Sequence, residues 1–356
     1  MTITNAWLHG ACLVLAFAGC GGQESKTTPT APQGDPVHDF WISREAVEQL
    51  PMEGKAWESL AAFAKRPVKT PKIADQDDMT DVCVLAKALV FVRTGEESLR
   101  TEVTQACLAA IGTEDGGRTL ALGRNLVGYV IAADLVKLPE DAGRRFREWL
   151  KTIRKVKLDG RTLISTHEDR PNNWGTHAGA ARVAVAAYLG DREDLTRAAK
   201  VLRGWLGDRD SYAGFKYKGL SWQADATEPV GVNPAGSRRR GHSIGGVLPD
   251  DQRRGGKFSW PPPKENYVYE ALQGALVQAV ILESVGELPW EWSDRALLRA
   301  FKWLHEEADY PAEGDDTWQT HLINHVYGAE FPALAPSRPG KNVGFTDWTH
   351  AGSRSR

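Results

Sequence analysis

Apolar residues recur at three- and four-residue spacing along most of this chain, and strict alternation of apolar and polar residues is scarce. That pattern predicts helices near 54–65, 79–94, 97–112, 119–136, 140–153, 174–189, 192–206, 265–285, 294–308 and 317–328. Some runs, such as the one carrying Ala180, Val183, Ala184, Val185 and Ala187, are apolar on most sides and read as buried inner helices. The next run is amphipathic, with Asp191 placed as an N-cap, Glu193 and Asp194 in the first turn, and Gly207 just past the end. Short connections between helices of similar length predict an all-α fold built from helical hairpins, with apolar helices inside and amphipathic ones outside.

Composition narrows the class. The 356 residues are 42% hydrophobic and 25% charged, with a formal net charge of -2, which excludes a globally basic nucleic-acid binder. Ala11 to Ala18 is apolar but too short for a membrane span, and Phe17-Ala18-Gly19-Cys20 follows it. We read residues 1–19 as a signal peptide and Cys20 as a lipidation site resembling a bacterial lipoprotein box. Residues 20–38 form a flexible tether, and 39–350 a single domain. Gly21 after the cysteine points to the outer membrane, with the lipid as the sole membrane contact. Cys83 and Cys107 lie in apolar helical patterns and read as packed free thiols, although export would permit a disulfide.

One long stretch, 208–264, breaks the helical pattern. It is rich in glycine, proline, aromatics and charge, and we read it as an ordered loop lining a cleft, with room for a short β-hairpin. Its arginines are candidates for binding planar anions such as carboxylates. Arg240, His242, Arg253, Lys257 and Trp260 are the substrate-binding candidates here, together with Trp222. Solvated charge is the plainer alternative for the same run.

Two segments carry candidate chemistry. Asn172-Asn173-Trp174 opens a helix after Pro171, and His177 follows Asn173 by one turn, on the same face. Further on, Gly246-Val247-Leu248-Pro249 leads to Arg253-Arg254, and Glu265-Asn266-Tyr267 starts another helix. Capping asparagines and a core histidine are the bland reading of the first segment. His321 and His325 are also four apart, but no carboxylate partner accompanies them, and neither a metal nor an organic cofactor is expected.

At these residues the sequence resembles the alginate lyase family of the chondroitin AC/alginate lyase superfamily. The likeness rests on the asparagine pair, the Gly-x-Leu-Pro segment with its arginines, and Asn266-Tyr267. It departs at Trp174, where the family has histidine directly after the asparagine pair. The resemblance implies an incomplete (α/α) toroid, a monomer acting on an acidic polysaccharide, and β-elimination at a uronate. By position, Asn173, His177, Arg254 and Tyr267 would be catalytic, with Asn172 and Trp174 binding substrate. Which of His177 and Tyr267 is base and which is acid stays open. A glycoside hydrolase using two carboxylates among Asp225, Glu228, Asp250, Asp251, Glu265 and Glu270 is the alternative. A lipoprotein that binds acidic glycan without cleaving it is a third.

Overall fold

The computed structural model describes residues 37–335 and 339–354. These fall within one compact unit. The signal segment, Cys20 and most of the tether lie outside the described residues.

In chain order the helices are α1 (Arg44–Gln49), α2 (Lys55–Ala64), α3 (Thr80–Thr94), α4 (Glu97–Ala110) and α5 (Thr119–Val136). Next come α6 (Glu140–Ile153), α7 (Leu163–Asp169), α8 (Asn173–Leu189), α9 (Arg192–Trp205) and the four-residue α10 (Pro249–Gln252). The chain closes with α11 (Tyr267–Ser284), α12 (Trp292–Lys302), α13 (Thr317–Tyr327) and α14 (Thr346–Thr349). The periodicity located the long helices to within a few residues. It missed α1, α7, α10 and α14, which are too short to show a period.

Helices α3, α5, α8 and α11 stand side by side, each packed on the next. They are buried on nearly every face. Outside them α4, α6 and α9 bury one stripe each: for α6 this is Ala142, Gly143, Phe146, Trp149, Leu150 and Ile153. This division explains the two kinds of apolar pattern in the sequence, because an inner helix has neighbours all round and an outer one does not. Asp191 caps α9 by accepting from the Asp194 N–H, as its position predicts. The result is an all-α, incomplete toroid of helical hairpins. A C-terminal segment bridges its gap: α14 packs on both α13 and α2, and the Lys341 ammonium meets Asp81 of α3 at 2.8 Å, both buried.

The 208–264 segment is ordered and holds one small hairpin, β1 (Arg238–Arg239) paired antiparallel with β2 (His242–Ser243). Arg240 and Gly241 turn it with positive φ of 48° and 86°, the backbone a two-residue hairpin turn of this hand requires. Cys83 and Cys107 are buried free thiols.

Candidate active site

The start of α8 is held from a distance. Asn172 is the N-cap residue, but its side chain makes no capping bond. Instead the backbone N–H of Asn173 donates to Oδ1 of Asp251, 3.1 Å away. Asp251 belongs to α10, which Pro249 opens and which leads directly into Arg253 and Arg254. Burial pushes the Asp251 carboxyl well above the usual range, against the pull of the Asn173 N–H.

One turn further along, α8 is gripped by two glycines. A methyl group on Gly123 of α5 would lie 2.8 Å from the backbone of His177, and one on Gly274 of α11 would lie 2.3 Å from that of Thr176. Only glycine permits such an approach. It brings Arg124, next to Gly123, and Glu270, one turn before Gly274, to the same point. The Arg124 guanidinium reaches Oε2 of Glu270 at 2.9 Å, and His177 Nε2 faces the same oxygen at 3.5 Å, an ion-pair separation rather than a short hydrogen bond. Asn342 Nδ2 donates to His177 Nδ1 at 3.0 Å, so the neutral imidazole carries its proton on Nε2, aimed at Glu270. Burial lowers the His177 pKa, with Glu270 opposing it. For Glu270, burial alone would raise the pKa, but His177 and Arg124 outweigh it and leave the carboxyl below its ordinary value.

Above this cluster opens a cavity of about 550 Å³. Asn173, Trp174, Arg254 and Tyr267 line it, so residues from the two segments of the sequence meet there. Gln76, Arg118, Leu120, Arg124, Asn266 and Glu270 complete the wall. Arg254 lies over the Tyr267 ring, 3.9 Å from its centroid, and Tyr267 is 37% exposed. The Asn173 carbonyl oxygen Oδ1 is buried with no partner.

Other candidates stand elsewhere. His177 is fully buried and does not line the cavity; it touches Glu270, which does. Asn172 is nearly buried, with Oδ1 unpartnered. Trp222 cannot offer a sugar platform: it is fully buried, packed against Phe258 and Trp303, and its Nε1 donates to Gly256. Arg253 is committed to Asp250 through two hydrogen bonds. Arg240 lies over Phe258, and His242 stacks on Trp260 at 4.4 Å. Arg240, His242, Lys257 and Trp260 do not line the cavity. Sequence reasoning passed over Arg118, Arg124 and Gln76. Arg124 did leave a signal, since it is one of two charged residues in the otherwise apolar α5.

Residues 98–211 match the family model described as Alginate lyase. The match supports an alginate lyase family assignment. It takes in Arg118, Arg124, Asn173, Trp174 and His177, and ends before Arg254 and Tyr267. The fold is also similar to a crystal structure of an alginate lyase from Bacteroides ovatus, with TM-score 0.45 and 12% identity over 68% of this chain and 65% of that one. A search of curated proteins found no match.

Proposed function

We propose that the protein is a polysaccharide lyase that cleaves a uronate-containing, alginate-like polymer by β-elimination. The observation that carries this is the make-up of the cavity. Arg118, Arg124 and Arg254, with Asn173, Asn266 and Gln76, face a single carboxylate, Glu270, which Arg124 already neutralises. Such a wall suits a bound anion.

The reaction follows from that setting. The C5 proton of a uronate is weakly acidic because its removal puts negative charge on the adjacent carboxylate. Donors from Asn173 and Arg254 stabilise this enolate-like state. Tyr267, as its phenolate, takes the C5 proton. The electron pair forms the C4=C5 bond, the C4–O4 bond breaks, and Tyr267 returns the proton to O4. His177 is buried behind Glu270 and acts through that carboxylate rather than on the sugar. A single residue serving both proton transfers requires H5 and O4 on the same side of the ring, the arrangement in a D-mannuronate chair.

A retaining or inverting hydrolase needs two carboxylates across the site, and among the described residues only Glu270 lines the cavity. Asp251 is buried behind Asn173, Asp250 is paired with Arg253, and Asp225 is exposed and bonded to Thr227. The test is to incubate the purified protein with a panel of uronate polymers and follow ultraviolet absorbance of the conjugated C4=C5 bond. Rising absorbance on at least one polymer is expected. Chain shortening without it would rule elimination out, and retention on a uronate column without product would favour the non-catalytic reading. The export signal and the Cys20 anchor belong to the same proposal, as a lipoprotein facing the periplasm or the surface would meet such a polymer.

A further inference from the structure

The gap in the toroid is closed by a strap, residues 340–346, and every one of them is buried. It bridges α13 and α3. Gly340 lies against the Trp318 ring with no room for a Cβ, and Thr346 Oγ1 donates to the Trp318 carbonyl. Lys341 pairs with Asp81 and also donates to the Asp78 carbonyl. Between these holds Asn342 reaches His177, 165 residues away in sequence, its Nδ2 meeting Nδ1 at 3.0 Å. Asn342 has φ of 73°, a backbone that asparagine tolerates better than most side chains. Its Oδ1 is buried without a partner among the described residues, so the bond to His177 is the polar contact that its amide makes. The reverse orientation of the amide would turn Oδ1 toward Nδ1 and draw the proton of the neutral ring onto that nitrogen. The Nε2 lone pair would then stand against the Glu270 carboxylate, an unfavourable pairing.

We propose that Asn342 is a positioning residue for the elimination. By donating to His177 Nδ1 it keeps the ring N–H on Nε2, directed at Glu270, and so holds the Glu270–Arg124 pair in the arrangement that receives the substrate carboxylate. Asn342 does not touch the cavity; it acts through His177 and then Glu270. Glu270 is faced by Arg124 from α5, His177 from α8, Lys341 from the strap and Asp316 from the turn before α13, and across the cavity by Arg118 and Arg254. Burial pushes the Glu270 carboxyl up; the His177 N–H, then Arg124 and Lys341, hold it below its ordinary value. The ionised carboxylate fixes the Arg124 guanidinium at the cavity wall. This rests on the lyase reading of the cavity, and it makes the C-terminal strap part of the active site and not only a brace across the ring.

The test joins a spectroscopic readout to a pH profile. Nitrogen-15 shifts of the histidine-labelled full-length protein report which ring nitrogen carries the proton, and His177→Gln identifies the His177 signals. The unaltered protein should show a bare Nδ1 and a protonated Nε2. Asn342→Asp, which can only accept, should place a proton on Nδ1. Asn342→Gly keeps the positive φ without strain and removes only the amide, so the ring should lose its fixed tautomer. In that variant kcat/KM should fall about tenfold, the scale of one lost hydrogen bond, chiefly through KM. Its acid limb should move to higher pH, because Glu270 then takes up a proton more readily. A proton on Nδ1 in the unaltered protein, or an unmoved acid limb in Asn342→Gly, would overturn the proposal. No absorbance on any uronate polymer from the unaltered protein would overturn the lyase reading and the part of Asn342 in it, while the nitrogen shifts would still decide the tautomer.

Discussion

Asp251 accepts a hydrogen bond from the backbone N–H of Asn173 across 78 residues of sequence. The bond fastens the loop that carries Arg254 to the helix that carries Asn173, so two of the groups proposed to bind the substrate carboxylate share one anchor. Asp251→Ala should cost about 1–2 kcal/mol of stability, the usual penalty for losing a helix cap, read as a shift in the urea midpoint. It should also raise KM for the polymer, because both arms of the site loosen. Asp251→Asn keeps an acceptor at the same place and should restore most of both. Equal losses in the two variants would contradict the capping role.

Glu270 and Arg124 form a largely enclosed pair beneath the cavity, with side chains 14% and 12% exposed. Removing one member leaves the other charge with an incomplete partner set. Arg124→Leu alone should destabilise the fold by about 3 kcal/mol, and adding Glu270→Leu should recover much of that loss. Denaturant unfolding of the two single variants and the double variant measures the coupling. Strict additivity would show that the pair does not act as one unit.

Two buried carboxyls near the site give stability opposite pH dependences. Asp316 accepts from Gln273 and Gln319, and burial raises its pKa to about 8. The folded state therefore keeps a proton that the unfolded chain gives up above its ordinary value of about 4. Stability from this group is complete at low pH and is lost as pH rises toward 8. Glu270 is held below its ordinary value, so its contribution is present above about pH 4.3 and is lost as pH falls. Asp316→Asn should remove the decline between pH 5 and about 8, seen as a urea midpoint that varies less with pH over that range. An unchanged slope would show that Asp316 ionises normally.

Tyr267 starts α11 beside Arg254. Tyr267→Phe removes one oxygen and keeps the ring under the guanidinium. Turnover should fall by at least about 10²-fold, with the thermal midpoint unchanged. Turnover near that of the parent protein would take Tyr267 out of the chemistry.

The inner and outer helices were legible because burial writes itself into side-chain periodicity. The seams between helices were not: Gly123 and Gly274 look like ordinary helix glycines until the backbones they admit are seen. Asn173, Arg254 and Tyr267 could be found from segment order and residue type, and the structure gathers them around one cavity. Arg118 left no signal, and Arg124 only that of a charge in an apolar run, because their part depends on how α5 and the residue that caps it meet the cavity. Trp222 misled because an aromatic residue in a polar loop reads the same whether it faces a sugar or the core. His177 shares a helix face with Asn173, as its spacing predicts, but that face runs from the cavity down into the protein.

The sharpest measurement is the mass of the products formed in water enriched in heavy oxygen. Elimination breaks the C4–O4 bond without adding water, so each new non-reducing end should lack one water and carry no label. Saturated non-reducing ends, with heavy oxygen on the new reducing ends where a hydrolase breaks the C1–O bond, would mean hydrolysis and would contradict the assignment of Asn173, Arg254 and Tyr267 to a lyase site.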